Sequence, residues 1–222
     1  MKKLRLTNSW LGLVLLLPLA CSPGSKDNTS RVDKLPYYNE STFTPLWFEE
    51  NSNEIEALHQ IGSFRFINQD GDTVTEHTFA EKIYVTDFFF TICPGICPKM
   101  AANMGVLQEA FLEDEEVLLL SHSVTPEMDS VTTLKRYAEA KGVVSGKWHL
   151  VTGDREEIYR MGRKEYFVEE DLGEAKDLDE FLHTENFVLI DQNRHIRGIY
   201  NGLNRSSVNQ LIADIRTLKV EK

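Results

Sequence analysis

The stretch IYVTDFFF, from Ile83 to Phe90, constrains the fold more than any other part of the chain. It is rich in β-branched and aromatic residues and is apolar without a break after Asp87. Such a run suits a strand buried on both faces, at the centre of a sheet that helices cover. Directly after it comes TICPGICPKM, in which Cys93 and Cys97 are each followed by proline. Met100, Met104, Leu107 and Phe111 then recur at helical spacing, which predicts a helix from about residue 98 to 112. Pro98 suits the first helical position, where its missing N–H costs nothing. Cys97 is then expected at the N-cap, where the helix dipole favours a thiolate.

The rest of the chain continues the alternation. VLLLSHSV reads as a second buried strand, and MDSVTTLKRYAEAKG as a helix that Gly142 ends. KWHLVTG is a third strand, DREEIYRMGRKEYF a third helix, NFVLIDQNRHIRGIYNG a hairpin and NRSSVNQLIADIRTL a closing helix. SFRFINQDGDTV alternates on both sides of Asp70-Gly71 and predicts a further hairpin in front. EEDLGEAKDLDEF reads as an acidic inserted loop, more simply a solvated surface than a cation trap. This order implies one α/β layered domain. It is the thioredoxin-like plan, with an N-terminal β-hairpin and an inserted helix and loop added.

The N-terminus sets the compartment. Lys2, Lys3 and Arg5 precede the apolar run WLGLVLLLPLA, which is shorter than the roughly 20 residues of a membrane span. It fits the core of a secretory signal. Ala20 before Cys21 resembles a bacterial lipobox, although Pro18 stands where leucine is usual. Residues 1–21 are therefore expected to be a lipoprotein signal with Cys21 lipidated; an uncleaved signal anchor is the alternative. Residues 22–54 read as a flexible tether followed by an irregular arm, and residues 55–222 as the globular domain. On either reading the body is exported and tethered to a bacterial membrane, facing the periplasm or the cell exterior. Disulfides persist there.

Charge narrows the partners. The 222 residues carry a formal net charge of −11, which argues against nucleic acid, whose phosphates want a basic face. Neither a Gly-rich phosphate loop nor a Ser/His/Asp motif is present.

With Cys21 set aside, Cys93 and Cys97 remain, and three readings compete. A structural staple across four residues would close a small loop and stabilise little. A thiol–disulfide pair fits the position between strand and helix, although two intervening residues are the usual spacing and three are found here. A soft metal site for Cu(I) or zinc fits paired thiolates but needs a third ligand. Among six histidines, His122 and His149 lie within strands and read as packing residues. His59, His77 and His195 read as surface residues. His183, in FLHTEN before an apolar strand, belongs to a loop that a thioredoxin-like plan runs beside the cysteines. Met100 and Met104 read as core rather than thioether ligands, and Asp191 as shaping the turn QNRH.

FFFTICPGICPKM, VTPEMDSVTTLKRYA, KWHLVTG and HTENFVLIDQNRHIRGIYNG, in that order, resemble the Sco/SenC family over about residues 55–218. The resemblance implies a membrane-tethered, thioredoxin-like protein that binds copper through both cysteines of a CxxxCP motif and one distal histidine. Here these are Cys93, Cys97 and His183. It implies delivery of copper to the dinuclear CuA centre of cytochrome c oxidase subunit II. Alternatively, the protein would be a thiol–disulfide oxidoreductase that keeps the acceptor's cysteines reduced, or a copper or redox sensor. A thiol reductant is implied as a further partner, and Cys93 and Cys97 would form a disulfide when oxidised. Two departures stand out. Gly95 replaces a common Asp between the cysteines. Thr125 replaces another common Asp, and is expected to touch only a strand end.

Overall fold

The computed structural model describes residues 29–49, 52–169, 182 and 184–221. The signal segment, Cys21, His183 and nearly all of the acidic loop lie outside these residues. Among the described residues no helix is long and apolar enough to cross a membrane.

The predicted central strand is β5 (Ile83–Phe89), with every residue buried. Its neighbour β6 (Val117–Ser123) runs parallel to it, and β7 (Trp148–Thr152) parallel to β6. On the other side, β8 (Asn186–Ile190) is antiparallel to β5 and continues through a hairpin into β9 (Ile196–Asn201). The leading hairpin, β3 (Arg65–Asn68) and β4 (Thr73–Thr75), turns at Gly71 with a φ of 86° and adds its first strand to β7. This mixed, helix-covered sheet is the expected thioredoxin-like α/β class.

The arm departs from expectation. It is not irregular. β1 (Tyr37–Tyr38) and β2 (Pro45–Leu46) extend the sheet beyond β9, giving the order β2-β1-β9-β8-β5-β6-β7-β3-β4. A buried arginine fastens this addition. Arg197 donates to the carbonyls of Leu35 (2.8 Å) and Pro36 (3.1 Å) and pairs with Asp191 and Glu221. Its guanidinium lies 4.0 Å over the Tyr37 ring, so one side chain binds arm, sheet and C-terminus together.

Two cores form, one on each face. α1 (Cys97–Ala110), α2 (Val131–Lys141) and α4 (Arg205–Leu218) cover one, where Val85, Phe89, Met100, Met104, Leu107 and Trp148 pack. Met100 and Met104 are core residues, as expected. α3 (Arg155–Arg160) and the π-helical turn Met161–Glu165 cover the other, with Phe66, Phe88 and Tyr166. Gly142 ends α2 in the left-handed region, as its sequence position implied.

Candidate metal and dithiol site

β5 delivers the chain to the end of the sheet, and α1 takes it away again. Between them, the Cys93 N–H donates to the Phe90 carbonyl at 3.3 Å. Both cysteines are free; Cys93 is half-buried and Cys97 buried at 4 % exposure. Ile96, not Cys97, is the N-cap, so Cys97 is the first residue of α1 and Pro98 the second.

Burial and hydrogen bonding, rather than place in the helix, set the protons. Burial pushes the Cys97 thiol up to about 12, and its hydrogen bond to Cys93 pushes the same way. Burial also opposes ionisation of Cys93, but it is outweighed there. The Cys97 thiol and the N–H groups of Cys97, Gly95 and Ile96 hold Cys93 below the ordinary thiol value. The expected thiolate at Cys97 is therefore corrected: Cys93 Sγ collects the helix-end donors, and Cys97 keeps its proton.

Beneath the pair lies a buried polar group that the sequence reading passed over. Asp87 accepts a hydrogen bond from Ser121 Oγ, which accepts in turn from Trp148 Nε1 at 2.8 Å. Burial raises its carboxyl to about 7. A lone acid inside an otherwise apolar strand was the available signal.

The histidines sort largely as expected. His122 (0 %) and His149 (8 %) are buried packing residues, and His77 is exposed. His59 is half-buried, with its Nε2 2.8 Å from the Glu165 carbonyl. His195 is a correction: it is 3 % exposed, its Nδ1 donates to the His59 carbonyl at 3.0 Å, and its ring meets Tyr37 edge-on. Asp191 shapes the turn as expected, accepting from the N–H groups of Asn193 and His195.

His183 lies outside the described residues, but both of its neighbours are placed. Leu182 is buried, and a Cβ on Gly162 would come within 2.6 Å of its Cδ2. Thr184 donates to the Val168 carbonyl at 2.8 Å. β8 begins two residues later and runs antiparallel to β5, so it opens at the end of the sheet where the cysteine loop lies.

Two free thiols four residues apart, one half-buried and one buried, are soft donors of the kind that select Cu(I). Among the described residues no group of three or more His, Cys, Asp or Glu side chains is arranged to hold a metal ion.

The family model for SCO1/SenC matches residues 52–219. The chain belongs to the SCO1/SenC family. A SCO1 protein homolog of Bacillus subtilis is 30 % identical over 168 residues, covering 74 % of this chain and 85 % of that protein. Among solved structures, a SCO1/SenC family lipoprotein of Bacillus anthracis superposes with a TM-score of 0.61 at 29 % identity, covering 72 % of this chain and 95 % of that one. BsSco gives 0.60 at 25 % identity, covering 74 % and 95 %. It is a member of the Sco family of cytochrome c oxidase assembly proteins, and a disulfide switch has been identified in it. Copper-bound ScoI of Bradyrhizobium japonicum gives 0.57 at 25 % identity, covering 72 % and 99 %. The SCO1/SenC framework thus holds from the leading hairpin to α4, and Sco proteins have been crystallised with copper bound.

Proposed function

We propose that this SCO1/SenC protein is a membrane-anchored copper metallochaperone. Cys93, Cys97 and His183 hold one copper ion, and its acceptor is the CuA centre of cytochrome c oxidase subunit II. The reading is carried by the paired, unequal thiols at the mouth of β5. Copper-bound Sco relatives support it, as does the placement of both residues flanking His183. Two thiolates and a neutral imidazole form a soft three-donor set that suits Cu(I) and tolerates Cu(II) better than sulfur alone. Both thiols must be reduced to bind, so oxidation to the disulfide releases the metal. Lipid at Cys21, after removal of the signal ahead of it, holds the carrier on the outer side of the membrane beside its acceptor. A lipoprotein relative supports this placement.

The same thiol asymmetry favours a second reading, a thiol–disulfide oxidoreductase. The Cys93 thiolate attacks an acceptor disulfide and forms a mixed disulfide. Cys97 then loses its proton and displaces the acceptor sulfur. Two electrons pass to the acceptor, Cys93 and Cys97 end as a disulfide, and a thiol reductant resets them. A copper or redox sensor would share this chemistry without an acceptor.

Anaerobic copper titration of the reduced full chain (Cys21→Ser), beside Cys93→Ser and His183→Ala, separates the readings. One tight site, abolished without Cys93 and weakened without His183, is the carrier's result. No stoichiometric copper, with a readily cycled disulfide, is the oxidoreductase's. Full oxidase assembly in cells carrying His183→Ala would sink the carrier reading.

A further inference from the structure

We propose that Asp129 is the positioning residue of the dithiol loop: through Thr91 it fixes the approach of Cys93 to Cys97. The proposal rests on the Cys93–Cys97 pair being the working site.

Asp129 is fully buried, two residues before α2 begins. Its carboxylate gathers donors from two separate loops. Oδ1 accepts from Thr91 Oγ1 at 2.5 Å, and Oδ2 accepts from the Thr91 N–H at 3.2 Å. Oδ2 also accepts from Ser123 Oγ at 2.6 Å and Thr125 Oγ1 at 3.0 Å. Thr125 therefore does more than touch a strand end. The N–H groups of Met128 and Asp129 both donate to the Thr125 carbonyl at 2.9 Å, which holds the acid's own backbone in place.

The cysteine loop has little else to hold it. Between Thr91 and Cys97 no residue is buried, and Ile92 next to the clamp is 60 % exposed. Cys93 and Ile96 pack against the core only in part, and Ile92, Pro94 and Gly95 are exposed. The segment is suspended between the start of α1 at one end and the Thr91–Asp129 contact at the other. Cys93 lies two residues past Thr91, with its N–H tied back to Phe90. A loop fixed at one end only would sample more geometries and lower the effective concentration of one thiol at the other.

The test is the equilibrium constant for Cys93–Cys97 disulfide formation against glutathione, measured on the full chain with Cys21→Ser. Thr91→Val removes the hydroxyl arm that reaches the loop. Ser123→Ala removes an arm of the same carboxylate that reaches only β6, and so serves as a matched control for stability. Thr91→Val and Asp129→Asn are expected to lower the constant about tenfold, the scale of one lost positioning hydrogen bond. Ser123→Ala should leave it within about twofold while losing comparable stability in urea. A Thr91→Val constant within about twofold of the unsubstituted protein overturns the proposal. So does a Ser123→Ala loss as large as that of Thr91→Val. If Asp129→Asn does not fold, the Thr91 and Ser123 pair decides. An unsubstituted protein that forms no reversible disulfide would overturn the dithiol reading as well, which distinguishes the two failures.

Discussion

Asp87 and His122 occupy adjacent rows of the β5–β6 register and point to opposite faces of the sheet. Asp87 lies under the cysteine helix with Ser121 and Trp148. His122 lies among aromatic rings, 4.7 Å from Phe88 in a stacked pair and 5.4 Å from Phe66 edge-on. Burial raises the Asp87 carboxyl to about 7 and lowers the His122 imidazole to about 3. Each stays neutral where its free counterpart would be charged.

Their effects on stability oppose each other. Asp87 has a folded value above its unfolded one, so its contribution is complete below about pH 4 and is lost as pH rises through about 7. His122 has a folded value below its unfolded one, so its penalty grows as pH falls from about 6.5 toward 3. Each is worth on the order of 4 kcal/mol at full extent. Asp87→Asn should stabilise the protein at pH 8 and leave a stability that climbs with pH between 4 and 6.5. His122→Phe should leave the opposite slope over the same range. Urea midpoints measured from pH 4 to 8 decide; parallel profiles for the two variants would refute the pairing.

Alkylation should separate the cysteines. At pH 7 with limiting iodoacetamide, Cys93 should react about a hundredfold faster than Cys97, because only Cys93 is both accessible and held low by hydrogen bonds. Peptide mapping of the reduced Cys21→Ser protein reads the ratio. Equal rates would contradict the assignment of the thiolate.

Gly95 is open to substitution. A Cβ there would meet only Cys93 Sγ, at an ordinary 3.9 Å, and the residue does not occupy the left-handed region. Gly95→Asp should therefore fold with stability changed by less than about 0.5 kcal/mol. A carboxylate beside Cys93 disfavours the thiolate, so alkylation of Cys93 should slow by about three- to tenfold at pH 7. Unchanged reactivity would place the new charge away from the sulfur.

Removing the Arg197 guanidinium should release the arm. Arg197→Met keeps much of the volume but strands the buried Asp191 carboxylate and the partly buried Glu221 carboxylate. The expected cost is about 3–5 kcal/mol by urea unfolding, with limited proteolysis moving into residues 32–47. Protection unchanged in that segment would show that β-pairing alone holds it.

Much of the domain could be read from periodicity alone, because β5, β6 and α1 are governed by local pattern and by burial on one or both faces. What escaped depends on partners distant in the chain. β1 and β2 are two-residue strands that exist because β9 offers an edge, and Tyr37 and Tyr38 carry no strand pattern of their own. His195 sits in a polar turn, yet its ring is covered through contacts with Tyr37 and His59. Dipole reasoning alone favoured a thiolate at Cys97, whereas burial, which sequence position does not report, moved it to Cys93. Asp129 drew no notice within MDSVTTLKRYAEAKG, because Thr91, 38 residues earlier, is what reveals it.

Docking of the arm also sets a leash length. From Cys21 to Leu35, the first arm residue gripped by Arg197, the chain has 14 residues, at most about 50 Å when fully drawn out. Freed as far as the short 3-10 turn Ile55–Ala57, the same leash would stretch to roughly 120 Å. If lipid holds Cys21, Arg197 more than halves the radius that the thiols can patrol from the membrane. Their encounters would then be confined to acceptors standing close to the bilayer surface.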